Sequence, residues 1–180
     1  KIDDLIKRAQ DLGYRALALT DHGTMSGAIE FYKKAKKAGI KPIIGCEVYL
    51  APRTRFDKTA KIDSKIYHLT LLVKDEKGYK NLIRLVSKGW LEGFYYKPRI
   101  DKELLKEYSE GIICLSGCPN GEIPKALLSQ NYDLAKKLVF EYLEIFGSGN
   151  FYLEVDYHPK IEDSKKLKPL LIKLSQETNV

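Results

Sequence analysis

The sequence predicts an α/β fold in which a parallel sheet or (βα) barrel is covered by helices. Two observations predict it: short, nearly continuous apolar runs recur along the chain, and stretches with apolar residues at i, i+3 and i+4 separate most of them. A third is the placement of the polar exceptions. Thr20-Asp21-His22-Gly23 and Glu47 fall at or near the C-terminal ends of predicted strands, where open sheets and barrels assemble their sites. The 180 residues suffice for the core of one domain.

The first helix is predicted over 2–12, where Ile2, Leu5, Ile6, Ala9 and Leu12 share one stripe and Gly13 provides a stop. A strand over 16–19 (Ala-Leu-Ala-Leu) follows, then a helix over 25–38 with Ala28, Ile29, Phe31, Tyr32 and Ala35 inward and Gly39 at its end. Residues 41–50 read as a strand, and 51–65, polar, basic and without a period, as a long loop. A strand over 67–73 leads into a helix over 76–88. Residues 89–99 are aromatic and irregular, and 101–107 form a short capped helix. The remaining elements are strands over 111–115 and 151–155 and helices over 121–129, 133–146 and 163–177.

Lysine and arginine number 31 against 24 acidic residues, a net charge of +7 that favours an anionic partner. Most of the lysines fall on helix faces (Lys33, Lys34, Lys36, Lys37; Lys165, Lys166, Lys168), where a solvated face is the simpler reading. Cys46, Cys114 and Cys118 are an odd number without the paired spacing of a zinc ribbon. With no signal peptide or membrane-spanning run evident, a cytoplasmic setting is expected.

Nitrogen, oxygen and sulfur donors gather along successive strands: Asp21 and His22 after the first, Glu47 in the second, His68 in the third and Cys118 beyond the fourth. Such a set suits zinc or manganese. A lone histidine near a strand is often only a packed, hydrogen-bonded residue, but Glu47 lies between Cys46 and Val48 in an apolar strand. A carboxylate there is costly to bury without a cation or paired donors. Asp21 has two readings, a ligand or a group that orients His22 or caps the next helix, for which Thr24 is better placed. Cys46 and Cys114 read as small core residues. Cys118, in the loop Ser116-Gly117-Cys118-Pro119-Asn120-Gly121, is free to reach a site. His158, beside Pro159, reads as a surface-loop residue.

The segments Ala18-Leu19-Thr20-Asp21-His22-Gly23, Ile43-Ile44-Gly45-Cys46-Glu47-Val48-Tyr49, Tyr67-His68-Leu69, Gly93-Phe94-Tyr95-Tyr96-Lys97-Pro98-Arg99-Ile100-Asp101 and Leu115-Ser116-Gly117-Cys118 carry a family resemblance. In order and spacing they resemble the PHP (polymerase and histidinol phosphatase) domain, in the form carried by bacterial replicative DNA polymerase III alpha subunits. The resemblance implies a distorted (βα)7, TIM-like barrel with up to three divalent ions, zinc or manganese, at one rim. It implies His22, Glu47, His68 and Cys118 as metal ligands, Cys118 standing where many relatives have histidine, with Asp21 the less secure match. Arg99, Arg53 and Arg55 are candidates for phosphate or DNA contact, exposed loop charge being the simpler reading for Arg53 and Arg55.

The resemblance further implies DNA replication as the setting, with DNA, a sliding clamp and a proofreading exonuclease as partners of the parent polymerase. Within this domain it implies metal-dependent phosphoester hydrolysis as a 3′–5′ exonuclease. Two other readings stand beside it: a catalytically silent scaffold that docks a separate exonuclease, and a phosphatase of the histidinol-phosphate type, which lacks the aromatic 93–101 segment. The family's opening His-x-His strand is expected before Lys1 and its closing Asp-x-His strand after Val180. The expectation is therefore one partial PHP domain over 1–180, with the palm, fingers and thumb elsewhere, first and last strands missing and two sheet edges open.

Overall fold

The computed structural model describes residues 1–156, 158 and 160–180. Along them run α1 (Ile2–Asp11), β1 (Ala16–Leu19), α2 (Ala28–Lys37), β2 (Lys41–Leu50), β3 (Tyr67–Val73), α3 (Glu76–Leu91), β4 (Phe94–Tyr95) and β5 (Lys97–Ile100). Then follow α4 (Lys102–Tyr108), β6 (Ile112–Leu115), α5 (Glu122–Leu128), α6 (Tyr132–Phe146), β7 (Phe151–Tyr152) and α7 (Glu162–Thr178). No helix among the described residues is long and apolar enough to cross a membrane.

Strand β2 organises the sheet. Its first half pairs with β1 in parallel, from Ala16↔Lys41 to Leu19↔Ile44, and its second half pairs with β3 antiparallel, from Gly45↔Leu72 to Leu50↔Tyr67. At its end, Tyr49 and Leu50 also pair in parallel with Arg99 and Ile100 of β5. Strand β6 is antiparallel to β3 and parallel to β7. Five of the described strands therefore run one way, and β3 and the short β4 run against them, a departure from the expected parallel sheet. The cause lies in the connection: parallel neighbours need a crossover, commonly helical, whereas the loop after β2 holds no α-helix and turns back at the same rim. Among the described residues β1 pairs only with β2, and β7 only with β6.

Side-chain alternation divides the strands between two faces. Cys46, Val48 and Leu50 of β2, Leu69 and Leu71 of β3, and Ile112 and Cys114 of β6 belong to the main core with Leu82, Leu85, Leu104, Leu105, Leu138 and Val139 of the covering helices. A second cluster joins Ile6 and Ala9 of α1 to Phe31 and Ala35 of α2, with Leu17, Leu19 and Ile44 packed against it. The intervening positions, Glu47, Tyr49, His68 and Thr70, are thereby turned to the opposite face of the sheet, the interior side of a barrel.

Helix starts follow their caps. The carboxylate of Asp75 accepts the Gly78 N–H at 2.9 Å, Asp101 accepts that of Leu104 at 3.0 Å, and the Asn131 carbonyl that of Leu134 at 3.1 Å. Helix α2 differs from expectation. It begins at Ala28 after Gly27, because the Thr24 hydroxyl accepts the Ser26 N–H at 3.2 Å and closes a tight turn instead of capping the helix. Residues 89–99 are more regular than expected: α3 runs on to Leu91, and β4 and β5 form a minimal hairpin through Tyr96 at φ 60°.

Candidate metal centre

The β1–β2 ladder continues beyond β1 and carries His22 to Glu47. Glu47 N–H donates to the Asp21 carbonyl at 3.1 Å, Gly23 N–H donates to the Glu47 carbonyl at 2.9 Å, and His22 and Glu47 form a parallel bridge. Gly23 has φ +65°, and a Cβ there would lie 2.9 Å from Pro98 Cγ and 3.0 Å from the Tyr49 ring. Its carbonyl accepts the Trp90 indole N–H at 2.8 Å, which pins the loop carrying His22 to α3. The reversal of β3 then brings His68, near that strand's start, to the same rim.

His68 Nδ1 lies 2.5 Å from Glu47 Oε1, and His22 Nδ1 lies 3.5 Å from the same oxygen. The three side chains offer one ligand atom each, all within 4.8 Å of one another. Tyr49 walls the group, edge-on to His68 at 5.3 Å and stacked on His22 at 6.3 Å. His22 is the solvent-facing member, with 59% of its side chain exposed against 18% for Glu47 and for His68. Cys118 Sγ lies 3.6 Å from His68 Nδ1, at the flank of the group.

Asp21 takes a different position. Its carbonyl also accepts the Cys46 thiol at 3.3 Å, while its carboxylate Oδ2 lies 3.2 Å from where a Gly27 Cβ would stand, beside the start of α2. No side-chain hydrogen bond caps that helix, so the expected cap is not formed.

The electrostatics are those of a coupled site. Cys118 and Glu47 hold the His68 imidazole protonated up to about 9. The hydrogen bond from His68 holds the Glu47 carboxyl below its ordinary value, against a desolvation that raises it. Burial pushes the Cys46 thiol up to about 12 and that of Cys114 well above its usual value, as befits inert core cysteines.

Sequence reasoning missed Glu154. It follows β7, accepts the Thr70 hydroxyl at 3.3 Å, and donates its own N–H to Ser116 Oγ at 2.9 Å. Thr70 is the register partner of Glu47, so the Glu154 carboxylate connects to the strand position beside the centre, and burial raises its pKa. The signal was present in Phe151-Tyr152-Leu153-Glu154-Val155, a carboxylate in an apolar run, as at Glu47.

The three arginines bond groups of the chain itself. Arg99 is completely buried: Nε donates to the Gly93 carbonyl at 3.0 Å, Nη1 to that of Asp63 at 2.9 Å, and Nη2 to those of Arg55 at 3.1 Å and Asp57 at 2.9 Å. Arg55, also buried, pairs with Asp101 at 3.1 Å and Glu92 at 2.6 Å. Arg53 grips the buried Asp63 carboxylate with two donors, Nε at 2.9 Å and Nη2 at 2.5 Å. A planar guanidinium presents five donors in fixed directions, which suits it to gathering the carbonyls and carboxylates of an irregular loop. His158 is exposed, and its neighbours Tyr157 and Pro159 lie outside the described residues.

One carboxylate and two imidazoles within reach of a single ion, with a thiol at the flank, match the donor preferences of a borderline divalent metal. The model of the PHP domain family matches residues 1–158, and the chain belongs to this family. Its curated relatives include the DNA polymerase III alpha subunits of Borreliella burgdorferi (48% identical over 181 residues, 100% of this chain and 16% of the relative) and Treponema pallidum (48% over 172 residues, 95% and 15%). That of Thermus aquaticus is 49% identical over 175 residues, 95% of this chain and 14% of the relative. The chain thus spans about a sixth of the length of the curated relatives it matches. A solved structure described as a metal-dependent phosphoesterase from Bifidobacterium adolescentis shares the fold, with TM-score 0.57 at 11% identity, covering 100% of this chain and 79% of its own.

Proposed function

We propose that this chain is the PHP portion of a bacterial replicative DNA polymerase III alpha subunit, and that its centre hydrolyses phosphodiesters as a metal-dependent 3′–5′ exonuclease. The observation that carries the reading is the convergence of His22, Glu47 and His68 at one rim. In this reading they hold a divalent ion, zinc or manganese, and Cys118 completes the donor set from the β6 side. Polymerisation belongs to other parts of the parent chain, and DNA, a sliding clamp and a proofreading exonuclease are its partners.

When bound, a divalent ion lowers the pKa of water and offsets charge on the phosphoryl oxygens. The chain's own residues position and shield. Tyr49 packs against both imidazoles and limits their rotation, and Trp90 fixes the loop that carries His22. Lys97 Nζ lies 5.4 Å from the Tyr49 ring and places a positive charge beside the rim, where a phosphodiester would approach.

The test is Glu47→Ala in the full-length parent chain, measuring bound zinc and manganese and the release of nucleotides from a 3′-labelled strand. Both are expected to fall together. Unchanged metal content and unchanged release would overturn the assignment.

A further inference from the structure

A cavity of about 570 Å³ opens beside the metal centre and shares His68 as part of its wall. It is built from the end of the 51–66 loop, the start of β3, the turn after β6 with α5, and the first turns of α6. Its volume falls within the ~300–1,000 Å³ of small-molecule sites and exceeds what an inorganic anion fills.

The lining divides by chemistry. Lys65 and Lys125 supply two ammonium groups, with Lys125 Nζ over the Tyr67 ring at 5.4 Å and 3.4 Å from the Ile66 carbonyl. Glu122 is the acid among the lining residues, and it is occupied by Lys102 at 2.9 Å and the Tyr142 hydroxyl at 2.9 Å. Its charge is thereby offset and the cavity is left positive. Tyr67, Leu134 and Leu138 supply aromatic and apolar surface. The loop that carries Lys65 is held by the arginines described above, since the preceding Asp63 is gripped through its carboxylate by Arg53 and through its carbonyl by Arg99.

We propose that this cavity is the subsite for the terminal nucleoside monophosphate unit of the phosphodiester. Lys65 and Lys125 take the phosphate, Tyr67 and Leu134 take the base, and His68 marks the side on which the ester bond meets the metal centre. The assignment rests on the phosphoesterase reading and adds the substrate group and the residues that select it.

The experiment is photolabelling of the full-length parent chain with 8-azido-2′-deoxyadenosine 5′-monophosphate, mapped by peptide mass spectrometry. Label is expected on the peptides carrying residues 64–68 or 120–138, and excess deoxyadenosine monophosphate should compete it away. Lys125→Glu is expected to lower this labelling ~10-fold, the worth of one charge-assisted contact, and Lys125→Arg to retain it. Label mapping only elsewhere would overturn the proposal, as would labelling indifferent to Lys125→Glu. Competition by inorganic phosphate as effective as by the nucleotide would reduce the cavity to an anion site and remove the base. Glu47→Gln separates the two readings: metal retained in that variant counts against the centre and leaves the cavity standing, whereas label absent from the wild-type peptides counts against the cavity whatever the metal content.

Discussion

Glu47 and His68 meet diagonally across an antiparallel pair. In register His68 stands opposite Tyr49, and Glu47 opposite Thr70, yet the imidazole nitrogen reaches the carboxylate at 2.5 Å. Diagonal neighbours on one face lie within reach of long side chains. The contact therefore depends on the register of β2 against β3, and a one-residue slip would put the two groups on opposite faces of the sheet.

Cys118 gives a direct test of the proposed donor set. With Co²⁺ substituted into the full-length chain, a sulfur-to-metal charge-transfer band is expected in the wild type and lost in Cys118→Ser. Cys118→His should keep the ion without the band. A spectrum unchanged by Cys118→Ser would exclude the thiol from the ligand set.

Arg99→Met removes a buried guanidinium that serves four backbone carbonyls and is expected to lower unfolding stability by about 3–5 kcal/mol. Chemical denaturation measures this. Weakened DNA binding with unchanged stability would instead return Arg99 to a phosphate-contact role.

Gly93→Ala tests the same anchor from its other side. A Cβ at Gly93 would stand 1.8 Å from the Arg99 carbonyl oxygen, an approach that only glycine permits. Destabilisation of at least about 2 kcal/mol is expected, read as a lower denaturation midpoint with an unchanged slope.

Asp63 makes the loop acid-sensitive. Its hydrogen bonds from Arg53 hold the carboxyl at about 2 in the folded protein, below its ordinary 3.8. A depressed folded value contributes stability that is fully present above the unfolded pKa and is lost as pH falls through the folded one. The stability difference between wild type and Asp63→Asn is therefore expected to hold above about pH 4 and to shrink toward pH 2. A difference constant across that window would count against the Arg53–Asp63 pair as its source.

Much of this was legible in the sequence for identifiable reasons. β1, β2 and β3 span the residues expected, because their apolar runs are bounded by glycine, proline or charge. His22, Glu47 and His68 stood out as polar groups at strand positions, and those three converge. The direction of β3 was legible too, since a loop without a helical period between two strands argues for an antiparallel return, but the α/β alternation around it masked that signal. The β4–β5 hairpin was not legible. Its turn residue is Tyr96 at φ 60°, where glycine, asparagine or aspartate would have marked it, and the hairpin is held by tertiary contacts such as Arg99 to Gly93. The fate of Arg53, Arg55 and Arg99 was hidden for the same reason. A basic loop looks alike whether its guanidinium groups face solvent or gather its own carbonyls.

The loop that turns back at the rim gives the domain a modular edge. Its ends leave and re-enter the sheet on the same side, so insertions or exchanges between them need not preserve a crossover helix. Within it, anchorage and recognition occupy adjacent positions: Arg53 and Asp63 fasten it to the body through Arg99, and Ser64 and Lys65 face the cavity. A lineage could therefore vary the second pair, and with it what the site accepts, at little cost to the first. That separation makes substrate preference an evolvable trait of a barrel whose frame stays fixed.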